Sequence, residues 1–204
     1  MATNDYHFIT RWHVPGTIEE VSEILADAPG LTRWWPSVYL DVKELEHGDE
    51  RGVGKCVSLY TKGWLPYTLR WNFRVTDSSY PHGFTIVADG DFDGRGIWML
   101  EQNGDWADIL YDWKIRADKP LLRDLSFLMK PIFAANHRWA MAQGERSLKL
   151  ELDRRHATSE SERAAIPAPP QPTTFSPVPV VAGAAAALVL LYATTRRWGR
   201  RQDR

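Results

Sequence analysis

The chain has 204 residues, of which 25 are Lys or Arg and 26 Asp or Glu, and a formal net charge of −1. That length suits one globular domain with appendages, and its single cysteine, Cys56, excludes a disulfide framework and a thiolate metal cluster. Five arginines (Arg196, Arg197, Arg200, Arg201, Arg204) against Asp203 make the tail basic and leave the rest acidic, which excludes a nucleic-acid partner for the domain because phosphate recognition needs a basic face.

The opening MATNDYHFIT lacks the cationic start and apolar core of a secretory signal, so the fold is expected to begin there. From Tyr6 to Val14 the residues alternate, with Phe8, Thr10, Trp12 and Val14 on one face; period two reads as a strand. Pro15 and Gly16 end it. Thr17 with Glu20 forms a capping box that opens a helix with Ile18, Val21, Ile24 and Leu25 at helical spacing. Pro29-Gly30 closes that helix, and GLTRWWP reads as a second short helical turn stopped by Pro36.

Six strands follow, at 37–46, 53–61, 66–77, 83–90, 94–102 and 106–117, separated by the turns HGDERG, TKGWLP, DSSYPHG, DFDG and NGD. Turns this short make successive strands antiparallel neighbours. Two runs alternate cleanly. Leu69, Trp71, Phe73 and Val75 share one face, as do Ile109, Tyr111, Trp113 and Ile115, and such faces are half-buried under another element. Pro131 reads as the first-turn residue of a helix that continues to Arg155, about 37 Å long. Its stripe of Phe133, His137, Ala140, Met141, Gly144, Leu148 and Leu152 needs a broad sheet to lie on.

Residues 157–176 (ATSESERAAIPAPPQPTTFS) are rich in Pro, Ala, Ser and Thr without periodicity, and read as a disordered linker. Residues 177–195 (PVPVVAGAAAALVLLYATT) carry no charge and are long enough, as a helix, to span a bilayer before the Arg-rich tail at 196–204. The arginines favour the cytoplasm for that tail, whereas the missing export signal favours the cytoplasm for the domain. The second argument decides the expectation: a single-pass membrane protein with a cytoplasmic domain.

DGDFDG at 89–94 looks like part of a calcium loop, but the position for the bidentate Glu is Leu100, so a tight turn is expected. His7 and His13 lie about 20 Å apart on an extended strand, too far to share a metal. No nucleophile elbow, zinc-protease, phosphate-loop or dinucleotide motif is present. His137 falls on the inward stripe of the long helix. It suits either a packed core or a cavity wall, and the small neighbours Ala140 and Gly144 favour the cavity.

A strand, two short helices, six antiparallel strands and a long terminal helix is the order of an α+β helix-grip fold, a seven-stranded antiparallel sheet wrapped around its last helix. Three segments, RWWPSVYLDVKELEHGDERGVGKCV, DGDFDGRGIWMLEQNGDWADILYDWKI and LLRDLSFLMKPIFAANHRWAMAQGERSLKLEL, resemble the polyketide cyclase/dehydrase and lipid-transport family of START-like and birch-pollen-allergen-like proteins. The likeness covers about residues 6–153, within a ligand-binding domain bounded at 1–156. It implies a cavity between sheet and helix for a lipid or other hydrophobic small molecule, walled by Trp71, Phe73, Trp98, Tyr111, Trp113, Phe133, His137 and Met141. Enzymes of the superfamily place acid and base groups in that cavity, and here Tyr111 and His137 qualify. The leading expectation is ligand binding at a membrane without cofactor or metal, with a cyclase or dehydratase using His137 and Tyr111 as the alternative.

Overall fold

The structure, a computed structural model, describes residues 5–116 and 126–174. Strand β1 (Asp5–Pro15) is followed by α1 (Ile18–Ala26) and α2 (Leu31–Trp34). The strands β2 (Tyr39–Glu46), β3 (Cys56–Lys62), β4 (Thr68–Ser78), β5 (Gly83–Gly90), β6 (Asp93–Asn103) and β7 (Trp106–Arg116) come next. Helix α3 (Ser126–His156) and a short α4 (Glu160–Ala165) complete the elements among the described residues.

All seven strands form one antiparallel sheet in the order β1-β7-β6-β5-β4-β3-β2. The first two strands therefore occupy opposite edges, about 29 Å apart at the usual strand spacing. The two short helices bridge that span, which is why they must lie between β1 and β2. The capping box at Thr17 and Glu20 is formed in both directions, with Thr17 N donating to Glu20 Oε2 at 2.9 Å and Glu20 N to Thr17 Oγ1 at 3.3 Å. Register shifts in β2 and β4 interrupt the ladders, and such bulges bend strands.

The inner face of the sheet and the stripe on α3 enclose the core. Leu148 and Leu152 are fully buried against the sheet side, with Trp34 and Trp35 of the α2 region, and Trp12 meets Trp35 edge-on at 5.6 Å. Polar pairs fasten the far end of α3: Arg33 reaches the buried Glu151 at 2.6 Å, and His156 reaches Glu20 at 2.7 Å. Breaking the first pair would leave the buried Glu151 carboxylate with Arg155 Nε, at 3.9 Å, as its neighbouring cation, so the role of the pair is positional.

Gly144 allows the closest approach. A Cβ there would lie 2.3 to 2.6 Å from three ring atoms of Trp35, itself 3% exposed. Alanine improves helix propensity by about 1 kcal/mol, but overpacking a closed core costs about 1–3 kcal/mol, and a contact this short belongs at the top of that range. Gly144→Ala is expected to lower stability, read as a lower urea midpoint with unchanged slope; a raised midpoint would show that Trp35 has room to move.

Two boundaries differ from the sequence expectation. Helix α3 starts at Ser126, so Pro131 lies inside it, where the ring forfeits one backbone hydrogen bond early in the helix while the later turns hold it in place. Residues 157–174 do not match an unstructured linker: they include α4, capped by Ser159, and an extended run that contacts the domain. Residues up to Thr173 belong to one compact unit. The expected apolar helix at 177–195 and the tail at 196–204 lie outside the described residues. Among the described residues no helix is long and apolar enough to cross a membrane.

Candidate functional site

Between α3 and the sheet lies a cavity of about 170 Å³. Its floor comes from the inward parity of β4 and β7, with Trp71, Tyr111 and Trp113, and its roof from one side of α3, with Phe133, His137 and Met141. These six of the eight residues expected in the wall come together. The other two do not. Trp98 is buried, but it stacks on Tyr111 at 4.0 Å and packs 5.5 Å from Trp12, behind the wall rather than in it. Phe73 faces inward on β4 yet borders a second cavity of about 370 Å³, beside Leu25 of α1, Val75 and Phe84.

The aromatic lining has internal order. Trp113 packs against Tyr111 at 5.6 Å, Phe92 at 5.8 Å and Trp71 at 6.0 Å. Trp71 Nε1 donates to Thr61 Oγ1 at 3.0 Å, which fixes the indole edge and meets its one polar demand. Phe133 meets Tyr6 and Tyr67 edge-on, each at 6.2 Å. The imidazole of His137 stacks on Phe8 at 4.2 Å.

Several lining residues were absent from the sequence expectation. Tyr6 and Phe8 share the inward parity of β1, a signal present in the alternation. Phe92 sits in the DGDFDG turn, where Asp89 accepts from Asn72 Nδ2 at 2.9 Å and Asp91 accepts from Arg70 N at 2.7 Å. Those carboxylates are thereby turned to β4 while the ring of Phe92, which follows them, enters the cavity. Asn136 and Tyr67 also line the cavity, a placement that no periodicity reveals; Asn136 reaches the β3–β4 loop, where its Oδ1 accepts from Leu65 N at 3.2 Å.

The electrostatics of this cavity favour neutrality. Burial pushes the phenols of Tyr39 and Tyr111 well above their ordinary range and that of Tyr67 up to about 12. Burial, with a smaller contribution from the charge of Arg138, pulls His137 down to about 4. Its imidazole is therefore uncharged at neutral pH. His137 Nε2 and the Tyr6 hydroxyl are buried without a hydrogen-bond partner among the described residues, and such groups cost about 1–3 kcal/mol each unless something pairs them. Among the described residues no carboxylate lines the cavity, and Lys62 is the one lining residue with a formal charge. Among the described residues no group of three metal-ligating side chains is assembled.

This sheet, helix and cavity define a helix-grip fold with an aromatic pocket. Known structures share the architecture. The chain superposes on the Zhui aromatase/cyclase from a Streptomyces strain with a TM-score of 0.62 at 15% identity, covering 76% of this chain and 98% of that one. A protein of Thermus thermophilus gives 0.56 at 14% identity over 70% and 97%, and a Thalictrum norcoclaurine synthase point mutant in complex with a transition-state analogue gives 0.51 at 14% over 74% and 98%. At these identities the likeness is one of fold. No family model and no curated protein matches the sequence.

Proposed function

We propose that the protein binds a hydrophobic small molecule in the cavity under α3 and is tethered to a membrane by the apolar run at 177–195, with the domain on the cytoplasmic side. The observation that carries the reading is an aromatic cavity in which Lys62 is the one formally charged residue among the described lining residues, and where His137 Nε2, the Tyr6 hydroxyl and Trp35 Nε1 are buried without a partner among the described residues. An occupant with an apolar body and one hydroxyl or carbonyl satisfies both features. The volume also speaks: an apolar cavity of about 150 Å³ takes one benzene, so about 170 Å³ suits a one-ring or two-ring body, or the end of a longer chain.

The cyclase or dehydratase reading has structural neighbours in its favour, since one of them is an aromatase/cyclase by name. It has less chemistry behind it. A histidine pulled down to about 4 is a weak general base near neutral pH, and no carboxylate among the described residues lines the cavity to assist it. Binding is the better-supported function.

Organic extraction of the purified full chain, followed by mass spectrometry, tests the reading. One ring-containing or acyl molecule recovered in stoichiometric amount from the parent and depleted in Trp71→Ala supports it. Equal recovery from both proteins places the molecule elsewhere on the chain.

A further inference from the structure

The solved neighbours match this fold over 97–98% of their own length while covering 70–76% of this chain. Part of this chain is therefore extra to the shared architecture, and the segment after α3 follows the last element of the helix-grip fold. It does not leave the domain. After α4, residues Ile166–Thr173 (IPAPPQPT) run extended, with Pro169, Pro170, Pro172 and Thr173 half-buried. Four prolines remove four backbone donors, so attachment must use carbonyls and side chains. The Arg154 guanidinium donates to the Pro167 carbonyl, the Lys62 ammonium donates to the Thr173 carbonyl, and Thr173 Oγ1 donates to the Gly63 carbonyl at 3.3 Å.

These attachments fasten both ends of a stiff segment. From Arg154 back to Asn136 is about 27 Å along α3. Pro167–Thr173 spans about 20 Å when extended, and the Arg154 and Lys62 side chains reach across the remainder. Its far end lands on the cavity. Lys62, Gly63 and Tyr67 line the cavity, with Pro66 beside them exposed, and the loop between them is held by Asn136 of α3, whose side chain accepts from Leu65 N and lies against Gly63.

We propose that residues 166–173 are a strap that completes the ligand site by pinning the Lys62–Tyr67 lip, so that Lys62 and Thr173 are positioning residues that govern ligand exchange. The proposal rests on the cavity being a ligand site. A proline-rich strap suits this task because a stiff chain loses little entropy when fastened, and a loop at a cavity mouth is where release is commonly controlled.

The test uses the full chain in phosphatidylcholine nanodiscs with 4-fluorophenol, a neutral one-ring probe, observed by fluorine NMR. Hydrogen exchange of the amides at 62–67 is measured in parallel. Lys62→Met and Thr173→Val are each expected to release the probe about tenfold faster, the effect of one lost hydrogen bond, and to raise exchange in the lip. Lys62→Arg, which keeps a donor, is expected to restore both. Parent-like release and lip exchange in folded Lys62→Met and Thr173→Val overturn the strap while leaving the cavity reading intact. A parent chain that takes up no probe overturns the cavity reading and the strap with it.

Discussion

Trp113→Ala is expected to cost the domain about 3–5 kcal/mol, the range for removing a large aromatic from a closed core. Trp113 is 5% exposed and touches three other rings, so its removal leaves a void that β7 cannot close without breaking its pairing with β1 and β6. Against a typical domain stability of about 5–15 kcal/mol, the variant sits near the edge of folding at 37 °C. Trp71→Ala should behave differently. That indole is half-buried and borders the cavity, so the cost in stability should be smaller and the loss of ligand affinity larger. Urea denaturation of residues 1–174 for both variants, beside a probe titration, separates the two roles. Equal stability losses would mean that Trp71 is packed core and the wall is wrongly drawn.

The second large effect is a pH dependence owed to His137. In the unfolded chain its imidazole protonates around 6.5, whereas in the fold it does so only at about 4. The unfolded state thus binds the proton more readily, and acid favours unfolding. The stability that follows from keeping this ring neutral is complete above about pH 6.5 and is lost as pH falls towards 4. Its full amount is roughly 3 kcal/mol. His137→Leu removes the group, so the stability difference between parent and variant should shift in favour of the variant as pH drops from 7 to 4. Comparing the two proteins cancels every other titrating group. A difference that stays flat over that interval would show a solvated ring and contradict its place in the cavity wall.

How far the sequence reveals this molecule depends on the interaction concerned. Period-two alternation exposes the strands because one face of every strand meets the core; Trp71, Tyr111, Trp113 and the α3 stripe follow from that. Trp98 shows the limit of parity, since Ile97 and Met99 are equally apolar. The register decides it by pairing Trp98 with Tyr111, leaving Met99 43% exposed. Phe73 shows a different limit. Its inward face is legible, but which helix covers it is not, and α1 rather than α3 lies over that stretch, so the groove divides into two cavities. Pro131 and the strap differ from the sequence expectation for separate reasons. The later turns of α3 hold a proline that local propensity would put at a helix start. Tertiary contacts at Lys62, Gly63 and Arg154, which no local pattern reveals, fasten the strap.

The central claim is that an apolar ring enters the cavity beneath α3. Indole-selective proton–nitrogen NMR of residues 1–174 during titration with 4-fluorophenol tests it most directly, because each tryptophan reports its own position. Trp71 and Trp113 should shift along saturable curves with one shared dissociation constant, and Trp106, 42% exposed on the outer face where it stacks on His13, should stay still. Linear, unsaturated shifts confined to Trp106, with Trp71 and Trp113 unmoved, would contradict the account.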